Sequence, residues 1–163
     1  MDFKVFNKLT TLMFISVVVA SLPVKGKSFS LKALNSAPVS QEGLAADKVT
    51  VAMIFQPDCK WCKKQGKTLT RVSNQCDKSV EVALIGTKGN RRQLKHALKH
   101  YDDNLLAYLA DREFLIEIGG YEASPTTLFY DGKGNLVAKQ RGFIPQEKLA
   151  SAVSILSKGS CQI

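Results

Sequence analysis

The sequence lacks the features of a disordered chain, a repeat array or a two-domain protein. It contains no repeated segment and no linker, and 45% of its residues are hydrophobic and 23% are charged, which is typical of a globular domain. Its 163 residues also fit the size of one domain. The composition therefore predicts a single globular domain.

The sequence also lacks a long apolar run, since a membrane-spanning helix needs roughly 18 to 20 consecutive apolar residues. Its apolar segment at 12–20 is shorter, follows Lys4 and Lys8, and ends close to Pro23. A short apolar run behind positive charge is the layout of a secretory signal peptide. Retention of this segment as a membrane anchor is the alternative.

Cleavage is expected after Ala20, or as late as Gly26, because small or branched residues precede these positions. Residues 1–20 are then the signal peptide, and 27–163 are the mature domain. There is no cysteine near the cleavage positions, which argues against lipoprotein processing. We expect a periplasmic protein without stable membrane insertion, in a compartment where disulfides persist.

Acidic residues are in the minority, with 14 against 23 lysines and arginines, and the formal net charge is +9. Removal of the signal segment's two lysines and one aspartate leaves +8. A basic domain can bind nucleic acid, but the sequence contains neither an aromatic-rich RNA motif nor a recognition-helix signature. We therefore expect no nucleic-acid partner, and attraction to acidic partners or anionic lipid surfaces instead.

The hydrophobic pattern predicts alternating strands and helices. Val49–Phe55 is an apolar, β-branched run without polar alternation, which indicates a strand buried on both faces. Asn90 and Asp111 are expected N-caps. Further strands are predicted at 29–31, 80–85, 105–109, 126–130 and 136–140, and helices from Cys59, at 91–100, at 112–118 and at 145–158. This order is typical of an α/β fold.

Cys59 and Cys62 form a C-x-x-C motif where the predicted central strand gives way to a helix. Unpaired N–H groups and the positive end of the helix dipole favour a thiolate at the first helical turn. Cys59 is therefore the predicted nucleophile. Cys62, one turn further along, can attack a mixed disulfide at Cys59 and release the partner, so it is the predicted resolving thiol.

A zinc site is the structural alternative for a C-x-x-C motif, which supplies half of a four-ligand centre. The other half is missing, because Cys76 and Cys161 are lone cysteines. His96 and His100 have helical i, i+4 spacing without a nearby thiol, and we interpret them as a solvated helix face. We expect neither a metal site nor a cofactor.

Together these features resemble the thioredoxin superfamily, and specifically the exported TlpA/ResA-like thioredoxins, over nearly the whole mature chain. The resemblance rests on the strand Val49–Phe55, the motif Cys59–Cys62, and the sequence Ser124-Pro125-Thr126-Thr127. It implies a thioredoxin fold, with a central mixed sheet and helices on both faces. It also implies an N-terminal strand or hairpin extension, and a strand and helix insertion, residues 105–120, before a cis-proline loop.

The resemblance also implies roles for particular residues. Pro125 would be cis and face the disulfide, and with Ser124 it would shape an edge that binds an extended peptide; an ordinary trans-proline is the alternative. Trp61 would offer apolar surface to protein partners, or serve only in packing. Cys76 and Cys161 would form a second, structural disulfide, with free buried thiols as the alternative.

Two departures from the family leave the direction of electron flow open. The motif interior, Lys60-Trp61, is neither the usual reductant pair nor the Pro-His of strong oxidants. Met53 stands six positions before Cys59, where many cytoplasmic thioredoxins have a buried acid, so another base or water must help to deprotonate Cys62. The predicted activity is thiol–disulfide exchange with protein cysteines, served by a membrane redox partner. The rival prediction is a binding module that captures Cu(I) on the same thiols.

Overall fold

The computed structural model describes residues 31–35 and 48–163. The predicted signal peptide lies outside the described residues, as do Phe29 and Ser30 of the first predicted strand. Among the described residues, no helix is both long enough and apolar enough to cross a membrane.

Six strands and four helices form in the described part of the chain. The strands are β1 (Lys32–Ala33), β2 (Val49–Phe55), β3 (Val80–Gly86), β4 (Leu106–Leu109), β5 (Thr126–Tyr130) and β6 (Leu136–Arg141), and the helices are α1 (Lys60–Cys76), α2 (Arg91–Leu98), α3 (Arg112–Glu117) and α4 (Gln146–Leu156). This confirms the predicted α/β fold, and the bounds of β2 are those predicted.

The strands form one mixed sheet in the order β1-β4-β3-β2-β5-β6. The pairs β2–β3 and β3–β4 are parallel, and the other three are antiparallel. Helix α1 connects β2 to β3, and α2 connects β3 to β4, so both crossovers move toward the same edge of the sheet. Because such crossovers are right-handed, both helices lie on one face.

The sheet has a hydrophobic core on each face, which confirms the prediction of helices on both sides. Met53 of β2 and Leu69 of α1 belong to one core, to which α2 and α4 also contribute. Ile54 of β2 belongs to the other, with Phe114 of α3. All seven residues of β2 are buried, because successive side chains point to opposite faces and helices cover both.

The N-terminal strand differs from the prediction of 29–31. Leu31 precedes the strand, and β1 contains only Lys32 and Ala33. These two residues pair antiparallel with Leu109 and Tyr108 of β4, so among the described residues β1 extends the main sheet and has no hairpin partner. Leu31 instead packs against the core on the α3 face. A single apolar residue does not fix where a two-residue edge strand begins.

The predicted helix ends also shift by a few residues. Pro145 is the N-cap of α4 and not its first helical residue, because its ψ of 150° is extended. The residues after α2 and α4 continue as turns, with the His100 N–H donating to the Ala97 oxygen and Lys158 at a φ of 53°. Asn90 and Asp111 cap α2 and α3 as predicted.

A disulfide joins Cys76, the last residue of α1, to Cys161, which follows α4. Both cysteines are buried. Helices α1 and α4 pack on the same face, and Cys76 is at the opposite end of α1 from Cys59. This disulfide therefore links the ends of two packed helices far from the C-x-x-C motif.

Candidate active site

Cys59 and Cys62 form a disulfide at the N-terminus of α1, with their Cα atoms 5.2 Å apart. Cys59 is the N-cap, in an extended conformation, and its Sγ accepts a hydrogen bond from the Cys62 N–H at 3.1 Å. Asp58, just before it, has a φ of 58° and turns the chain from β2 into the helix. An N–H directed at a sulfur stabilises a thiolate more strongly than a thiol.

The two sulfurs differ in access. Cys59 is 9% exposed and Cys62 is fully buried. A partner's sulfur must therefore react at Cys59, and Cys62 is confined to reaction within the pair.

The first turn of α1 is positively charged. It contains Lys60 and Lys63 and no acidic residue, and Lys64 follows directly. Cations at a helix N-terminus oppose the helix dipole, by about 0.3 to 1 kcal/mol each. A thiolate at Cys59 benefits from both the dipole and the lysines, so the arrangement favours the negative sulfur at the expense of helix stability.

An exposed aromatic surface borders the disulfide. Trp61 is 55% exposed, and its ring centroid lies 5.9 Å from that of Phe143, in the loop after β6. The Lys64 Nζ lies over both rings, 5.2 Å from the Trp61 centroid and 4.4 Å from the Phe143 centroid. We call Trp61, Phe143 and Lys64 the aromatic surface. Phe143 was not among the residues predicted, because it is far from the motif in sequence.

Gln65 holds this loop against the helix and was also missed. It is fully buried, its Oε1 accepts a hydrogen bond from the Ile144 N–H at 2.6 Å, and its Nε2 donates to the Thr68 hydroxyl at 2.8 Å. A buried backbone N–H without a partner is costly. Gln65 therefore fixes the loop that carries Phe143. A polar residue on the apolar face of α1 is the only sequence signal that could have found it.

The Ser124–Pro125 peptide bond is cis. Thr126 pairs with Ile54, so Pro125 lies at the end of the sheet from which the chain enters α1. The Pro125 oxygen accepts a hydrogen bond from the Gly142 N–H at 2.8 Å, and the buried Ser124 hydroxyl has no hydrogen-bond partner among the described residues. The fold thus brings the loop to the same end of the sheet as the C-x-x-C motif.

The position of Met53 contains no ionisable group. Met53 is fully buried and pairs with Thr127 of β5, whose buried hydroxyl also lacks a partner. Directly opposite residues of an antiparallel pair share a face, so this hydroxyl lies on the α1 side of the sheet, where a hydroxyl cannot replace a carboxylate as a base.

His96 and His100 are exposed on and just after α2. No group of three or more histidine, cysteine or acidic side chains suited to a metal ion occurs within 31–35 and 48–163. The fold leaves these histidines as separate surface groups.

Solved structures similar to this one include several thiol–disulfide proteins. A thiol-disulfide isomerase from Corynebacterium glutamicum is 19% identical with a TM-score of 0.66, over 80% of this chain and 96% of that one. A secreted disulfide oxidoreductase of Mycobacterium tuberculosis is 18% identical with a TM-score of 0.60, and the match covers 79% of this chain and 96% of that one. An exposed lipoprotein thioredoxin of Streptococcus pneumoniae is 18% identical with a TM-score of 0.64, and the match covers 80% of this chain and 100% of that one.

At these identities the likeness establishes a shared fold. No sequence match to a curated protein was found. The model of the thioredoxin-like domain matches residues 41–154, which is more than half of the chain and includes the C-x-x-C motif, the cis-proline loop and most of α4. The chain therefore belongs to the thioredoxin-like family.

Proposed function

We propose that this protein is an exported thiol–disulfide oxidoreductase that exchanges disulfides with the cysteines of protein partners. The observation that supports this most strongly is the position of Cys59, which is N-cap of α1, has its Sγ 3.1 Å from a backbone nitrogen, and is the more exposed of the pair. These are the conditions for a stabilised and reachable thiolate.

Exchange proceeds through a mixed disulfide in either direction. When the pair is oxidised, a partner thiolate attacks the Cys59 Sγ and the Cys59–Cys62 bond breaks, with Cys62 leaving as the thiolate. A second partner thiolate then attacks the partner's sulfur in the mixed disulfide, and Cys59 leaves. The partner has lost two electrons to the pair, and gained a disulfide.

When the pair is reduced, the Cys59 thiolate attacks the partner's disulfide and releases one partner thiolate. Cys62, after losing its proton, attacks the Cys59 Sγ and releases the other. With Met53 and Thr127 beneath the helix, there is no buried carboxylate at that position to take this proton, so water reaching the partly exposed Cys59 side of the pair is the proposed acceptor. The reduction potential of the pair would decide which direction dominates.

The aromatic surface and the cis-proline loop are the proposed partner-binding elements. Trp61 and Phe143 offer apolar area next to the reactive sulfur, and Ser124 and Pro125 lie at the same end of the sheet. Trp61→Ala should therefore raise the KM for a protein substrate more than it changes exchange with a small thiol such as cysteine. Equal effects on both would show that Trp61 serves only in packing.

The location is part of the proposal. Residues 1–20 are the proposed signal peptide and 27–163 the mature periplasmic domain, served by a membrane redox partner that restores its redox state. N-terminal sequencing of the protein from a periplasmic extract should show a start between residues 21 and 27. An intact N-terminus in the membrane fraction would support retention as an anchor instead.

Three cysteine variants test the chemistry. In an assay of exchange with a peptide disulfide, Cys59→Ala should abolish turnover, and Cys62→Ala should accumulate a mixed disulfide visible by mass spectrometry. The matched control is Cys76→Ala combined with Cys161→Ala, which removes the other disulfide and should retain exchange while folded. Exchange that survives Cys59→Ala would overturn the proposal.

Cu(I) capture on the same thiols remains a prediction of the sequence. It is separated from exchange by titrating the reduced full chain with Cu(I) and by measuring peptide exchange on the same sample. Stoichiometric copper bound only with Cys59 and Cys62 intact, and no exchange, would favour it.

A further inference from the structure

A groove of about 770 Å³ begins beside the redox pair. Pro57, Asp58 and Lys63 of the β2–α1 junction form one side, and residues of α2 and the turn after it form the other. Asp58 is adjacent to Cys59 in the chain, so the groove is continuous with the surface around the reactive sulfur. We call it the basic groove.

Positive charge dominates its lining. Arg92, Lys95 and Lys99 from α2 and its C-cap face Lys63 across the groove, and His96 and His100 lie among them. Asp58 is the only acidic side chain in the lining. Within the described part of the chain, none of these lysines and arginines forms an ion pair with a carboxylate.

The position of Arg92, unlike that of Lys95 in the last turn, is unfavourable for α2 itself. Its first turn contains Arg91 and Arg92 and no acidic residue, although acidic residues are the ones that the dipole of a helix stabilises there. The helix begins instead through a capping box, in which Asn90 and Gln93 exchange side-chain and backbone hydrogen bonds. Local stability therefore does not explain the arginine at 92, whereas attraction of an anionic ligand does.

We propose that the basic groove binds an acidic segment of a protein partner, next to the cysteine of that partner that reacts with Cys59. The inference deepens the proposed function and rests on it. A polypeptide joined to Cys59 that extends past Pro57 and Asp58 enters the groove. Several carboxylates within a few residues of its cysteine would then face the four lysine and arginine side chains of the lining. A concave groove beside the sulfur fits a peptide better than the flat surface of an anionic membrane.

The test compares three short peptides, each with one cysteine pair, flanked by glutamate, glutamine or lysine residues. With the oxidised full chain at low salt, the glutamate-flanked peptide should be oxidised about tenfold faster than the glutamine-flanked peptide, and the lysine-flanked peptide should be slowest. At about 0.5 M NaCl the difference should fall below roughly twofold, since salt screens exposed charges.

Charge reversal on α2 locates the effect. Arg92→Glu combined with Lys95→Glu should remove the preference for the glutamate-flanked peptide and leave the rate with the glutamine-flanked peptide within about twofold. Glutamate at 92, in the first turn, suits the helix dipole, and glutamate at 95, in the last turn, opposes it. The two effects offset each other, so this variant should melt close to the parent protein. The matched control is Lys78→Glu combined with Lys133→Glu, which changes the net charge equally at the opposite end of the sheet and should keep the preference.

Three results would overturn the proposal: no preference for glutamate in the parent protein, an equal loss in the control variant, or binding to phosphatidylglycerol vesicles without any peptide preference. If no peptide is oxidised at all, the proposed thiol–disulfide exchange is wrong, whether or not the groove binds acidic peptides. The groove is then judged by fluorescence anisotropy with a labelled glutamate-rich peptide whose cysteines are serines. This peptide should bind the parent and the Lys78/Lys133 variant, but not the Arg92/Lys95 variant.

Discussion

Removal of the Cys76–Cys161 disulfide by Cys76→Ala with Cys161→Ala should destabilise the protein strongly. The two cysteines are separated by 85 positions. The loss of loop entropy in the unfolded chain, about 2.1 plus 1.5R ln n cal/mol/K for n residues, corresponds to about 4.6 kcal/mol at 25 °C for n near 85. Alanine is the suitable replacement, because both sites are buried and serine would introduce an unpaired hydroxyl.

The control is Cys59→Ala with Cys62→Ala, which removes a disulfide between cysteines that are 9% and 0% exposed and have a separation of only 3. The same relation then gives about 1.6 kcal/mol. The two variants therefore differ by about 3 kcal/mol, although each loses two sulfur atoms from a buried position.

Urea unfolding, followed by circular dichroism under oxidising conditions, measures both losses. With an m-value of about 2 kcal/mol/M, the midpoint should fall by about 2 M in the first variant and by less than about 1 M in the second. The first variant should also show a larger m-value, since its unfolded chain is more expanded. Equal losses in the two variants would refute the loop-entropy reasoning.

Three other substitutions test buried groups, two of them beside the site and the third, Tyr130, at the opposite end of the sheet. Gln65→Leu leaves the buried Ile144 N–H unpaired and should lower the free energy of unfolding by about 1 to 3 kcal/mol. The fluorescence of Trp61, the single tryptophan, should change as well. Unchanged stability and fluorescence would show that Gln65 does not fix the loop. Gly66→Ala should destabilise the protein by about 1 to 3 kcal/mol, because the added methyl would overlap the Tyr101 ring. Helix propensity alone predicts the opposite, a gain in stability of about 1 kcal/mol. A higher melting temperature in the variant would contradict the predicted overlap. Burial, and to a lesser extent Glu117, raises the pKa of Tyr130 above 10. Its hydroxyl has no hydrogen-bond partner in the described part of the chain, so Tyr130→Phe should keep the stability at pH 7 or raise it by about 1 kcal/mol. The parent protein loses stability as the pH rises above 10, where the unfolded tyrosine ionises first, and urea unfolding at pH 7 and pH 11 should show a smaller loss in the variant.

Much of the fold could be predicted because its signals are local. The apolar run Val49–Phe55 specifies a strand buried on both faces, and Asn90 and Asp111 satisfy the first N–H groups of the helices that follow them. The C-x-x-C motif was visible for the same reason, since an N-cap position and a one-turn spacing are properties of a few consecutive residues.

The surroundings of the sulfurs were decided only by the tertiary structure. Gln65 and Ile144 are 79 positions apart in sequence, and they are hydrogen-bonded because β6 returns the chain to the N-terminal end of α1. Gly66 looks like a weak point in a helix until the Tyr101 ring is seen against it. Likewise, the cations of α2 become part of a groove with Lys63 only because right-handed crossovers place α1 and α2 on the same face. Local sequence determines which groups are present, and chain topology determines which of them face each other across the site.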